Sequence, residues 1–247
     1  MSQYPVLLLM IRNIWINMNW IHLKSDNPAD ALALATVISH SNDSYGIVRR
    51  TVNSFFFKGL KNVTIDFYTD CEKNNLTVIH EIGADSWFEK CDILAERLNI
   101  KGPRESEPYL GFCANNTSIV KQWGDDKNIL LYLFPHPDQK IDLMIIDLLA
   151  RQFEQKGIKS VSGGTIVLPC IKGTKDLRQL IDLSVLCSIK DKICFILTTE
   201  KSIKALGEAL GVNVYVISHF SELMLDNMPM SDANQMANYI VKNNNKN

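Results

Sequence analysis

Asn128-Ile129-Leu130-Leu131-Tyr132-Leu133-Phe134 is apolar after its first residue and has the length of a strand. Such a run, with no polar face, is what a strand buried on both sides of a parallel sheet looks like. The residues that follow repeat the pattern with helical spacing between the runs. The reading is a helix over 142–155, a strand over 165–168, a helix over 176–186, a strand over 193–197, a helix over 201–210 stopped by Gly211, and a strand over 212–217. Alternating strands and helices of this kind imply a parallel sheet covered by helices on both faces. Gly163-Gly164 precedes a predicted strand instead of following one, so it reads as a turn and not as a phosphate loop.

Working back toward the amino terminus, 101–127 shifts to Pro, Ser, Asn, Gly and charge, which marks an interdomain connection. Before it lies a weaker α/β pattern. A strand over 20–23, the polar loop Lys24-Ser25-Asp26-Asn27-Pro28 and an Ala- and Leu-rich helix over 29–39 form its clearest unit, with Pro28 where a helix start tolerates it. Short strands are expected at 55–57, 63–67 and 76–80. Apolar residues at 87, 88, 91, 94, 95 and 98 share one face of a helix over 87–98. The expected domains are 1–120 and 127–241, with an Asn- and Lys-rich disordered tail at 242–247.

Composition sets the remaining bounds. The chain has 247 residues, 46% of them hydrophobic and 21% charged, which is enough apolar material for two packed cores. With 26 Lys and Arg against 27 Asp and Glu, the net charge of -1 gives no field to attract a phosphate backbone, and nucleic acid is not an expected partner. Arg49-Arg50 reads as a solvated face. The cysteines at 71, 91, 113, 170, 187 and 194 show no CxxC or zinc-finger spacing, so reduced structural thiols are expected, as in cytoplasm. Val6 to Met10 is too short an apolar run for a signal peptide, and no stretch reaches the ~20 apolar residues of a membrane span. Trp15, Trp20, Trp87 and Trp123 are expected in cores or interfaces.

No GxGxxG, P-loop or GxSxG occurs. His136-Pro137-Asp138 follows a parallel strand, at the carboxyl edge where open α/β sheets bind ligands, and reads either as a ligand-contacting loop or as a proline-built turn. His136 has no identifiable metal partners, so neither a metal nor another cofactor is expected.

Four segments resemble glycosyltransferase family 9, the heptosyltransferases. Asn128 to Pro137 is similar to that family's strand ending in a His-Pro-Gly loop, with Lys140 near a family lysine that meets donor phosphates. Gly173-Thr-Lys175-Asp-Leu177-Arg178-Gln-Leu180 resembles its Gly-Lys-Thr-Ser-Leu-Arg-Glu-Leu element, a helix start. Thr199-Glu200-Lys201-Ser202 followed by Ala209-Leu210-Gly211-Val212 resembles the segment in which Asp-Ser-Gly-Pro opens a helix ending in Ala-Leu-Gly-Val. Lys24 to Leu32 resembles the family's Gly-Asp loop, with Asp30 at the aspartate and Ala29 at the glycine.

The resemblance implies a GT-B-like α/β fold of two Rossmann-like domains, with a parallel sheet in the carboxyl-terminal domain and a reduced amino-terminal one. It implies a nucleotide-sugar donor, a heptose among the candidate sugars, and a carbohydrate or protein acceptor. The implied donor-binding residues are Lys24, His136, Lys140, Lys175, Thr199, Glu200, Lys201 and Ser202. Asp30 would be the base that deprotonates the acceptor hydroxyl in an inverting transfer. Asp30 reads equally as a first-turn carboxylate favouring the helix dipole. Ser-Gly-Pro is replaced by Lys201-Ser202-Ile203, so the glycine that lets backbone approach phosphate is missing. That erosion leaves a second expectation open, a non-catalytic subunit or scaffold beside another glycosyltransferase. A third, an unrelated α/β enzyme using Asp26, Asp30 or His136, stays open because fold alone does not set chemistry.

Overall fold

The computed structural model describes residues 18–48, 51, 53–66, 76–101, 107–113, 121–124, 127–134, 143–164, 171–219 and 222–244. The chain divides into two compact units, 1–112 and 113–247.

In the amino-terminal unit the run around Trp20 forms β1 (Asn19–Leu23), which pairs in parallel with β2 (Tyr45–Val48) on one side and β4 (Leu76–Ile79) on the other. The strand β3 (Val63–Asp66) extends the sheet to the order β3-β2-β1-β4. The helix α1 (Pro28–Ser39) follows β1. Its start is set by Asn27, whose side chain accepts from the Ala29 amide at 3.0 Å, and by Pro28, whose missing N–H costs nothing there. Residues 28–38 of α1 are all buried, which is why its sequence is apolar all round and not striped. It packs against α2 (Trp87–Arg97). Phe88, placed on the apolar face by spacing, is exposed, and Lys90 is buried in that face instead.

Residues 55–57 are not a strand: Ser54–Phe57 forms a 3-10 turn. Phe55, Phe56 and Phe112 stack there with ring centroids 4.2 to 5.6 Å apart, so the aromatics serve packing and not a ladder.

The carboxyl-terminal unit is built on β5 (Asn128–Leu133), every residue of which is buried. It pairs in parallel with β6 (Ser160–Gly164) and with β8 (Ile193–Thr198). Outside these lie β7 (Lys175–Asp176) and β9 (Val214–His219), also parallel, and then the antiparallel β10 (Leu223–Leu225) and β11 (Met228–Pro229). The order β11-β10-β9-β8-β5-β6-β7 reverses direction at β5, as in a Rossmann-like sheet. The helices α3 (Leu143–Gln155) and α6 (Ala233–Asn244) pack together over one face. There Ile146, Leu149 and Phe153 meet Ile129, Leu131, Leu133, Met236 and Ile240.

Three expectations change. Gly163-Gly164 is the end of β6 and not a turn, and 165–168 lies outside the described residues. The helix expected over 176–186 is replaced by β7, a turn, and the shorter α4 (Leu183–Ser188), whose start is capped by Asp182 accepting from the Val185 amide at 2.8 Å. Finally, α6 carries 242–244, so the tail expected to be disordered from 242 is helical to Asn244. The helix α5 (Ser202–Leu210) ends where predicted, because Gly211 adopts φ 67°, a left-handed cap that glycine takes without penalty.

Gly207 of α5 faces β9 so closely that an added Cβ would overlap the Val214 side chain and stand 2.9 Å from the Val212 carbonyl oxygen. Gly207→Ala should therefore cost about 1–3 kcal/mol by overpacking. Urea unfolding checks this, and an unchanged midpoint would contradict it.

Candidate functional site

Each unit has its own set of predicted residues. In the amino-terminal unit, Asp30 lies in the first turn of α1 and is fully buried. Both its oxygens are taken. Lys90 Nζ donates to Oδ1 at 2.6 Å, Ser25 Oγ donates to Oδ2 at 2.5 Å, and the Ile82 amide donates to Oδ2 at 3.0 Å. Lys90 in turn donates to the Ile82 carbonyl at 2.9 Å and is 1% exposed. Ser25 also accepts from the Asn27 amide at 3.1 Å. The carboxylate thus ties the loop after β1 and the segment at Ile82 to α2. A buried charge needs such partners, because an unpaired one is strongly unfavourable.

Lys24 is exposed at the carboxyl end of β1, with its amide donating to the Ile79 carbonyl at 2.8 Å. Asp26, in the same loop, is an exposed carboxylate. Lys90 and Ser25 were not found by sequence reasoning. The available signal was a lysine one residue from Cys91 on the Trp87, Cys91, Leu94 face, matched by a lone carboxylate in an otherwise apolar helix.

In the carboxyl-terminal unit, Thr199, Glu200, Lys201 and Ser202 come together where β8 ends and α5 begins, beside the end of β5. This is the point where strand order reverses, the usual ligand crevice of an open α/β sheet. The Thr199 hydroxyl is used within the sheet: it accepts from the Phe134 amide at 3.1 Å and donates to the Phe134 carbonyl at 3.0 Å. The Glu200 carboxylate accepts from the Ser202 amide at 3.2 Å. A carboxylate of the chain itself therefore sits on a free N–H at the start of α5, where the helix dipole and unpaired amides would otherwise favour an external anion. Lys201 is exposed beside it.

His136 and Lys140 lie outside the described residues. Lys175 is not with the Thr199 to Ser202 group: it pairs in register with Val161, at the opposite, amino edge of the sheet. No group of three His, Cys, Asp or Glu among the described residues could hold a metal ion, and no helix among them is long and apolar enough to cross a membrane.

Four described cysteines are free thiols, at 91, 113, 187 and 194. A hydrogen bond from Cys187 brings the Cys113 thiol down to about 7, against an opposing push from burial and with help from Ser188. Burial, and then Asp92, push Cys91 up to about 12. Because the thiolate is the nucleophile, alkylation of Cys113 should accelerate as pH rises through about 7 and then level off, while Cys91 stays slow. Peptide mapping after iodoacetamide treatment checks the order; equal labelling of both would contradict it.

The fold these units define is that of GT-B glycosyltransferases, Rossmann-like and with parallel sheets. Two solved structures of the E. coli heptosyltransferase WaaC share it. The one with ADP-2-deoxy-2-fluoro heptose is 11% identical with a TM-score of 0.51, over 92% of this chain and 100% of that one. The one with ADP is 11% identical with a TM-score of 0.51, over 93% and 99%. A glycosyl transferase family 9 structure from Veillonella parvula DSM 2008 is 12% identical with a TM-score of 0.45, over 79% of each chain. No family model and no curated protein matches the sequence.

Proposed function

We propose that this chain is a non-catalytic protein of the heptosyltransferase-like fold, acting as a subunit or scaffold beside a glycosyltransferase. One observation carries the reading: both oxygens of Asp30, the residue aligned with the family's base, are engaged by Lys90, Ser25 and the Ile82 amide in the interior. A base must reach the hydroxyl proton it removes, and this carboxylate reaches only its own fold. The start of α5 adds to the reading, since Ser202 stands there in place of the family's glycine, whose backbone phosphate can approach. The test is to purify the protein with the transferase that accompanies it and assay that enzyme with and without this chain. The expected result is that turnover or yield depends on the chain and is unchanged by Lys201→Ala. Sugar transfer by this chain alone, lost on Lys201→Ala, would overturn the proposal.

A second reading is an inverting transferase that moves a sugar from a nucleotide-diphosphate donor to a hydroxyl acceptor. It is favoured by the placement of Lys201 and Ser202 at the strand-order reversal and by the heptosyltransferase neighbours solved with ADP and with an ADP-sugar. ADP-linked sugars are then the first donors to try. In that reading Glu200 swings off the Ser202 amide and Lys201 offsets leaving-group charge.

A further inference from the structure

We propose that Cys113 and Cys187 form a redox-modification site in the carboxyl-terminal unit: a peroxide oxidises Cys113, and Cys187 then closes a reversible disulfide with it. The two thiols hydrogen bond to each other although they are distant in sequence. Cys187 sits in the last turn of α4 and is 2% exposed. Cys113 lies in irregular chain just after the turn at 111–112 and is partly exposed, open to a small oxidant. Hydrogen-bonded thiols already stand in contact, so a short movement brings sulfur to the roughly 2.05 Å of a disulfide.

The surroundings give each thiol its part. The hydrogen bond from Cys187 holds Cys113 down, to about 7, so a large share of it is thiolate near neutral pH. The same bond, and then burial, push Cys187 up, so it keeps its proton. A thiolate is the nucleophile toward peroxide, and a partly exposed one beside a second thiol is the form that is oxidised first. The Cys113 sulfur takes one oxygen, the O–O bond breaks, and the departing hydroxide is protonated to water. Cys113 is then an uncharged sulfenic acid, which removes the main cause holding the proton on Cys187. The Cys187 sulfur attacks the sulfenic sulfur: the S–S bond forms, the S–O bond breaks, and hydroxide leaves with the Cys187 proton as water. Two thiols and one peroxide thus become one disulfide and two waters, and a dithiol reductant returns the electron pair. The bond pins the first residue of the unit to α4 and encloses β5, α3, β6 and β7 in one covalent ring. A disulfide formed transiently in this way is how thiols kept reduced act as sensors. The chemistry is independent of whether the chain transfers sugar.

The test treats the whole, unaltered protein with hydrogen peroxide at neutral pH, blocks the remaining thiols with iodoacetamide, and maps the peptides without reduction. The expected result is one dominant pair of peptides joined through Cys113 and Cys187, released again by dithiothreitol. Peroxide should consume Cys113 at least about tenfold faster than Cys91. The same treatment in urea is the control, where Cys187 should join its sequence neighbour Cys194 instead, because short loops close most readily. Cys187→Ala should leave Cys113 as a sulfenic acid that dimedone labels, and Cys113→Ser should abolish the joined peptides. Cys113 recovered as a free thiol, oxidised without a link, or joined to another cysteine would overturn the proposal. A 113–187 link equally dominant in urea would overturn it too, since the fold would then not select the pair. These readouts come from the unaltered chain and do not depend on either variant folding.

Discussion

Asp30→Asn should destabilise the amino-terminal unit by about 3–5 kcal/mol, because it leaves the Lys90 ammonium buried without a counter-charge. Urea unfolding measures it directly. Lys90→Met should cost a similar amount for the mirror-image reason, an uncompensated carboxylate. The pair Asp30→Leu with Lys90→Met removes both charges and should recover most of the loss, since buried ion pairs are often replaceable by apolar residues of similar volume. A residue kept only as a base behaves differently: Asp30→Asn would leave the unfolding midpoint near that of the parent and abolish turnover. The two outcomes are well separated, which makes this the largest effect the structure predicts.

Glu200→Gly should create affinity for nucleoside diphosphates. The substitution frees the Ser202 amide, removes a negative charge from the start of α5, and clears the side chain from that position. Charges at helix starts are worth up to ~2 kcal/mol in partly buried settings. The expected gain for ADP, GDP or UDP over the parent protein is therefore about tenfold, equivalent to about 1.4 kcal/mol. Calorimetry with each nucleotide is the measurement. Equal or weaker binding by the variant would show that Glu200 does not exclude the anion. Glu200→Gln separates charge from geometry, since it keeps an acceptor for the Ser202 amide while removing the repulsion.

How far the sequence could be read depended on whether each signal was local. The buried strands β5 and β8 and the helices α1, α2, α3 and α5 were legible because run length, periodicity and Gly211 act within the segment itself. By contrast, β2 was missed, since Tyr45–Val48 is short and its four residues are buried only through pairing with β1 and β3. The segment at 55–57 misled because three phenylalanines suit a strand, while the tertiary fold stacks them with Phe112 in a 3-10 turn. At 173–180 the similarity to a helix start was overridden by pairing of β7 with β6, and the helix began only at Leu183, behind Asp182.

The candidate site shows the same division. That Thr199, Glu200, Lys201 and Ser202 lie together follows from their adjacency, but the engagement of Thr199 by Phe134 joins residues 65 apart. Asp30 lies in the first turn of α1, as one of its two sequence readings had it. What it touches was not legible, because Lys90 lies 60 residues away and a lone lysine in a helix reads as solvated.

The claim that Asp30 and Glu200 are internal braces is tested most directly by titrating the unaltered protein with ADP-, GDP- and UDP-sugars in a calorimeter. The account predicts no saturable heat at the α5 start at millimolar donor. A donor that binds in the micromolar range, is weakened by Lys201→Ala, and is consumed in the presence of an acceptor would contradict it.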